Sequence, residues 1–372
     1  MTPKRHTAIR KQCDRIDQLC RQALEASHGS GPLGIMEVCG THTMCIAASG
    51  LSGLLTDDLK LISGPGCPVC VTDQSYIDRA LHLVTECEPR PIIATYGDMV
   101  RVGGSSGSLA EARASGARVE VVYSADHAVE IALNNSDAEV VFLAVGFETT
   151  APGAALAVLR AHNENVPNFS IMTAQKRLLP AMDALLGQDD VRIDGFLCPG
   201  HVSVILGWKA YEPIAAKYAR PCVVAGFDAT QVLASVEAIV AQLVSGQAQA
   251  ASVYPSVAAE GNRRAVELLD EVFVASEASW RGLGAIPQSG MELREEFGRF
   301  DAANRFDLPD FPSREIPGCR CGDVICGRLH PTDCGLFASQ CTPRKAVGPC
   351  MVSSEGACAA AYKYGPHGGP GQ

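Results

Sequence analysis

The chain has no apolar run approaching the roughly 20 residues that a membrane helix needs, so a membrane-spanning protein is not expected. It also lacks an excess of positive charge. Its 372 residues carry 31 Lys and Arg against 41 Asp and Glu, a formal net charge of −10. That balance argues against a general nucleic-acid binder and against attraction to acidic membranes. No signal peptide opens the sequence: MTPKRHTAIRKQCDRIDQLCRQAL is charged and reads as an amphipathic helix. The expected location is therefore cytoplasmic, where thiols are kept reduced. The glycine-rich GGSSGS at 103–108 lacks the Lys-Ser/Thr of a P-loop and the spacing of a dinucleotide fingerprint. It reads instead as a flexible partner-docking loop.

What the chain has in quantity is cysteine, 16 in all. Seven of them (Cys319, Cys321, Cys326, Cys334, Cys341, Cys350 and Cys358) crowd the last sixth. Three more, Cys39, Cys67 and Cys70, sit near the front in the turns CGTH and GPGCPVC. In a reducing compartment, dense cysteines point to metal ligation or redox work rather than to a disulfide framework.

The length allows two or three domains. The middle alternates short apolar runs with helical patterns, the mark of βαβ units and parallel sheets. Strands are expected at 35–39, 59–63, 91–96 and 118–124, and again at 139–146, 169–174, 193–198 and 222–227. The fold class expected is α/β: two similar Rossmann-like units with parallel sheets facing a cleft, plus a C-terminal iron–sulfur domain. The division is an N-terminal helix at 1–30, a first α/β domain at 31–135 and a second at 136–230. A helical segment with a Pro-rich linker follows at 231–312, then a cysteine-rich domain at 313–372. Ligands in open α/β sheets bind at the carboxyl ends of strands, and nearly every unusual motif here falls at such an end.

Cys39 ends the first strand, and Gly40 permits a sharp turn after it. His42 can lower the Cys39 pKa, bind metal or act as an acid or base; it is otherwise a turn histidine beside a buried cysteine. The Cys67–Cys70 pair, held by prolines and glycines, can form a disulfide or chelate one metal ion. Cys39 adds a third thiolate if the first two strands are neighbours, and thiolates suit iron or zinc. The rear spacings fit neither a zinc ribbon nor a bacterial ferredoxin. Four thiolates around an iron–sulfur cluster is the leading reading, with structural zinc as the alternative. Cys334 and Cys341 flank one loop and Cys358 opens the last helical stretch. Cys319 or Cys321 closes the set, and Cys350 competes.

Together the strings CGTH, SGPGCPVC, YGDMVRVGG, GFETTAP, CPGHVSVILG, FDAANRFD and CTPRKAVGPCMVSSEGAC resemble the HypD family, maturation proteins of [NiFe] hydrogenases. The resemblance spans nearly the whole chain in consistent order. It implies a scaffold that holds a mononuclear iron while two cyanides and one carbon monoxide are attached. It implies three partners: the HypC chaperone, whose N-terminal cysteine shares the iron; HypE, which delivers a cyanide prepared with HypF; and, indirectly, the hydrogenase large subunit. It also implies one [4Fe-4S] cluster in the C-terminal part. On this sequence, Cys39, Cys67 and Cys70 match the iron-site thiols and His42 the histidine beside them. The cluster ligands implied are Cys319, Cys334, Cys341 and Cys358, with Cys321 and Cys350 as alternates. Cys326 departs from the family pattern and is not counted. Cys13, Cys20, Cys45, Cys87 and Cys222 match no motif and read as core or surface residues, and Cys198 reads as buried.

Four further residues are candidates for support. Asp98 and Glu148, at strand ends, orient thiols, take up protons, contact a partner, or simply cap loops. His201 faces the cleft or is a satisfied structural histidine, and Glu355 links tail to cleft or caps a helix. Thr149 and Thr150 read as caps. Two rival functions stand beside the scaffold: a cluster-fed thiol–disulfide oxidoreductase acting on a protein disulfide, and a zinc-stabilised binding module.

Overall fold

The computed structural model describes residues 3–27, 31–188 and 190–365. Eleven strands of three residues or more organise the described residues. The first two are β1 (Leu33–Glu37) and β2 (Leu59–Ser63), followed by β3 (Ile92–Thr95), β4 (Val119–Val121), β5 (Val140–Gly146) and β6 (Phe169–Gln175). Then come β7 (Gly195–Pro199), β8 (Cys222–Ala225), β9 (Ala250–Ser252), β10 (Phe273–Trp280) and β11 (Gly284–Leu293). The eight expected strands all form, within a few residues of the expected ends. β5, VVFLAVG, is buried at every position, as a strand covered on both faces of a parallel sheet must be.

The sheets do not follow the sequence halves. One has the order β9–β8–β7–β1–β2 and the other β4–β3–β5–β6; the pairings within both are parallel. The expected grouping of four consecutive strands on each side of residue 135 is therefore corrected. The β3–β6 sheet is inserted between β2 and β7, and the chain then returns to the first sheet. The return is fixed where β7 registers on β1, Ile35 against Gly195 and Glu37 against Leu197. A Cβ at Gly195 would lie 2.6 Å from Ile239, so glycine lets a helix lie close on this central strand.

A second correction concerns 231–299, expected to be helical. Helices Ala229–Ser245 and Arg263–Val272 form, but β10 and β11 make an antiparallel hairpin. Gly282 and Gly284, at φ +80° and +75°, turn its tip in a conformation that glycine adopts without strain. Trp280 is buried at the tip end of β10 and bridges to Thr72.

The helix Pro3–Ser27 places Ile9, Cys13, Ile16, Cys20 and Ala23 on one buried stripe. The alternating spacing of four and three is one face of a helix, and it packs on the helix Ala229–Ser245. Burying each Ile here is worth about 1.5–3 kcal/mol, and Cys13 and Cys20 act as small apolar residues on that stripe. Among the described residues, no helix is long and apolar enough to cross a membrane.

The tail is built from short helices at Cys321–Ile325, Pro349–Val352 and Ala357–Tyr364 joined by turns. Its residues Cys321, Val324, Ile325, Cys350, Met351 and Cys358 belong to the same apolar core as Met36, Val38, Cys67 and Cys70. The GGSSGS segment is also tied down. Gly103–Gly104 and Gly107–Ser108 form a small antiparallel ribbon, and Asp78 accepts bonds from the Ser105 backbone at 2.5 Å and hydroxyl at 2.8 Å. The expectation of a flexible loop is corrected accordingly.

Candidate thiol site

β1 and β2 are direct neighbours, with Glu37 opposite Ser63. The chain after each strand therefore meets the other. Gly64 N donates to Glu37 O at 2.8 Å and Gly40 N to Gly66 O at 3.1 Å. A Cβ on Gly66 would lie 2.1 Å from Cys39 N, so only glycine lets the GPGC loop press against CGTH. Cys39 stands at the N-cap position of the helix Gly40–Ser49 and is a free, buried thiol. Burial pushes its pKa up to about 12, against the downward pull of the His42 and Thr41 backbone N–H groups. Cys67 and Cys70 are joined as a disulfide with Cα atoms 5.2 Å apart. Pro68 opens the short helix Pro68–Val71 between them, where its fixed φ suits a first helical position.

Two residues complete the front site in ways the sequence did not disclose. Glu37 is buried; its Oε2 accepts from Cys39 N at 3.1 Å and its Oε1 from the Thr43 hydroxyl. Burial raises its pKa to about 8. The available signal was an acid in the otherwise apolar strand LGIME, two residues before Cys39. His42, by contrast, turns its ring away from the thiol role expected of it. Its Nε2 donates to Gly226 O at 3.0 Å, its ring packs 5.2 Å from Phe227, and burial holds its pKa down to about 4. What influence His42 has on the Cys39 pKa comes from its backbone N–H, not its imidazole. His201 is exposed and stacks on the same Phe227 at 4.0 Å.

At the rear, Cys319, Cys321, Cys334, Cys341 and Cys358 line one cavity, walled by Val324, Leu336, Phe337 and Met351. Gly348 presses on two of these thiols: a Cβ there would be 2.4 Å from Cys319 Sγ and 2.5 Å from Cys321 Sγ. Val347 N donates to Cys341 Sγ at 3.3 Å, the kind of N–H···S bond that stabilises a ligating thiolate. Bonds from Cys321 and Cys350 hold the Cys358 pKa down. Cys326 does not line this cavity; its thiol donates to Gly282 O at 3.3 Å. Among the described residues no three His, Cys, Asp or Glu side chains already stand in a metal-binding arrangement. The donor set nevertheless fits an iron–sulfur cluster in kind: sulfur donors in an apolar, partly enclosed space.

Front and rear meet. A second cavity is lined by Gly40, Thr43, Gly64, Cys67 and Cys70 on one side and by Ile325, Cys350, Glu355 and Ala357 on the other. Cys67 Sγ lies 3.4 Å from Ser353 Oγ, and Cys70 Sγ lies 4.0 Å from Pro349 O. Thr41 donates to Glu355 Oε1 at 2.8 Å, so Glu355 links the tail to the CGTH turn. Asp98 Oδ2 accepts from Ser354 N at 2.9 Å and from the Ser353 and Ser354 hydroxyls at 3.2 and 3.1 Å. Glu148 is not part of this contact. Its Oε1 accepts from Leu178 N at 2.9 Å, at the start of a helix, and burial lifts its pKa to about 7. Thr150 stands at a helix start without capping it; its hydroxyl donates to Gln175 Oε1 at 3.2 Å.

An α/β frame thus carries two groups of thiols, a buried disulfide in front and a cysteine-lined cavity in the tail. The family model named HypD, described as the hydrogenase formation hypA family, matches residues 9–365. The hydrogenase maturation factor HypD of Cupriavidus necator is 44% identical over 339 residues, 89% of each chain. A putative hydrogenase expression/formation protein of Methanocaldococcus jannaschii is 40% identical over 357 residues, 96% of this chain and 97% of its own. HypD of Escherichia coli K12 is 41% identical over 94% of both. The chain belongs to the HypD family of hydrogenase maturation factors.

Proposed function

We propose that this protein is the scaffold on which the Fe(CN)2CO unit of a [NiFe] hydrogenase is assembled. The iron is cargo. Cys39, with one or both of Cys67 and Cys70, holds it, and HypC contributes a further thiolate. Cyanide and carbon monoxide favour an electron-rich iron, which soft thiolate donors provide. As a disulfide, Cys67 and Cys70 leave Cys39 as the free thiol of the front set; opening the bond adds two more donors beside it.

The observation that carries this reading is the shared cavity of Cys67, Cys70 and Cys350. It sets the front pair against the cysteine-rich tail, where Cys319, Cys334, Cys341 and Cys358 would hold a [4Fe-4S] cluster, with Cys321 and Cys350 as alternates. When bound, such a cluster supplies one-electron chemistry next to the pair. Releasing cyanide from the thiocyanate that HypE carries breaks an S–C bond and consumes two electrons and a proton. A Cys67/Cys70 dithiol supplies both electrons and that proton as its S–S bond closes, its second proton passing to solvent. Asp98 and Glu355 keep the tail in place against the front loops. Buried and neutral, His42 fixes the helix after Cys39 and stays out of proton transfer.

The test is Cys39→Ala, purified anaerobically with HypC and examined by infrared spectroscopy. Loss of the cyanide and carbonyl bands is expected; their persistence would remove Cys39 from the site. The same disulfide also supports the reading as a cluster-fed oxidoreductase of protein disulfides. Iron beyond the cluster's content, with cyanide bands, decides against that alternative.

A further inference from the structure

The disulfide is shielded from solvent: Cys67 is 5% exposed and Cys70 1%. Both sulfurs abut the tail. Ser353 Oγ lies 3.4 Å from Cys67 Sγ, and Pro349 O lies 4.0 Å from Cys70 Sγ. A partner that works on this pair must reach one of its sulfurs, because exchange begins with attack on sulfur. The cover is thin. Ser353 faces Cys67 and is buried, while Ser354, the next residue, is exposed.

The covering segment, SSEG at 353–356, has no apolar side chain. It runs between seated stretches of chain: Met351 and Val352 are buried before it, and the helix Ala357–Tyr364 starts after it. Arg101 Nη2 fixes the near end through Val352 O at 3.1 Å. The segment itself is held by polar contacts. Asp98 Oδ2 accepts from Ser354 N and from both serine hydroxyls, and the Thr41 hydroxyl donates to Glu355 Oε1. Lifting the segment exchanges these bonds for bonds to water and draws no apolar side chain out of the core. Such an opening costs a small part of what global unfolding costs. We infer that residues 353–356 are a lid on the Cys67–Cys70 pair, latched by Asp98 and Thr41. Shut, the lid keeps stray thiols off the disulfide; raised, it gives a partner access to Cys67 Sγ. This rests on the reading above that the pair exchanges electrons with a docked partner.

The experiment follows the rate at which excess dithiothreitol opens the disulfide in the full-length protein under anaerobic conditions. Each dithiothreitol that opens the pair closes to its own cyclic disulfide, leaving Cys67 and Cys70 as thiols. Samples are quenched with a maleimide, and the two cysteines are counted by peptide mass. Asp98→Ala, which removes three latch bonds, is expected to open about tenfold faster than the wild type. Thr41→Val, which removes one, is expected to open about threefold faster. Thr41→Val changes no charge, so its faster rate is not electrostatic; it also decides the matter if Asp98→Ala does not fold. In urea below the unfolding transition, the wild-type rate is expected to stay nearly flat, because a lid exposes little surface when it opens. Unchanged rates in a folded Asp98→Ala or in Thr41→Val overturn the lid alone. So does a wild-type rate that climbs with urea as steeply as global unfolding. A pair that never opens reversibly, with the latches intact or removed, overturns the redox reading, and this inference with it.

Discussion

Cys67 Sγ lies 3.4 Å from Ser353 Oγ, although 286 positions separate the two residues in sequence. The contact ties the first thiol centre to the second. It brings together motifs spread from CGTH to SSEGAC: the tail is folded back onto the strand-end loops of the first sheet.

Asp98 should prove to be the clasp of that arrangement. Its Oδ2 accepts three bonds from Ser353 and Ser354, and hydrogen bonds to a charged group are worth about 1.5–3 kcal/mol each. Asp98→Ala is expected to lower stability in urea by about 2 kcal/mol or more and to expose the 353–355 segment to protease. An unchanged urea midpoint and an unchanged cleavage pattern would deny Asp98 this part.

Gly348 should be intolerant of a side chain. A methyl group there collides with Cys319 and Cys321 sulfurs, at an overpacking cost of about 1–3 kcal/mol. Gly348→Ala is expected to cut iron and sulfide uptake on anaerobic reconstitution and to weaken absorbance near 400 nm. Gly335→Ala, which has open space around its Cβ, is the matched control. Equal loading of the two variants would show that the cavity does not hold the cluster.

Lys176 should leave a mark on the pH dependence of stability. Its Nζ donates to Ser279 O at 2.8 Å and lies 5.2 Å from the Trp280 ring centroid. Burial lowers its pKa from 10.5 to about 8. Between those values the unfolded chain binds the proton more than the folded one does, so stability rises with pH there. The full cost, on the order of 3 kcal/mol, is present below about pH 8 and gone above about pH 10.5. Relative to Lys176→Met, the wild type is expected to gain stability across this window in urea titrations. Parallel pH curves for the two proteins would contradict the buried charge.

The strands were legible because each is a short apolar run closed by glycine, proline or a polar turn. Their pairing was not. β7 lies beside β1 through a register of Ile35 with Gly195, a long-range match that no local pattern announces. The β10–β11 hairpin hid behind Ala, Ser and Glu, residues as much at home in helices; tertiary contacts, with Trp280 buried against Phe147, override that preference. The thiols of the site could be named from spacing and resemblance. Their neighbour Glu37 could not, because it acts through a fold contact, on the Cys39 backbone.

In the proposed function, the tail thiols and the Cys67–Cys70 pair form one redox unit. The direct measurement adds reduced methyl viologen, a one-electron donor, to the disulfide form of the protein, with and without prior anaerobic loading with iron and sulfide. Thiols opened at Cys67 and Cys70 are then trapped over time by a maleimide and counted by mass. The account predicts rapid opening in the loaded protein and little in the unloaded one. Equal rates in both, or no opening in either, would contradict it.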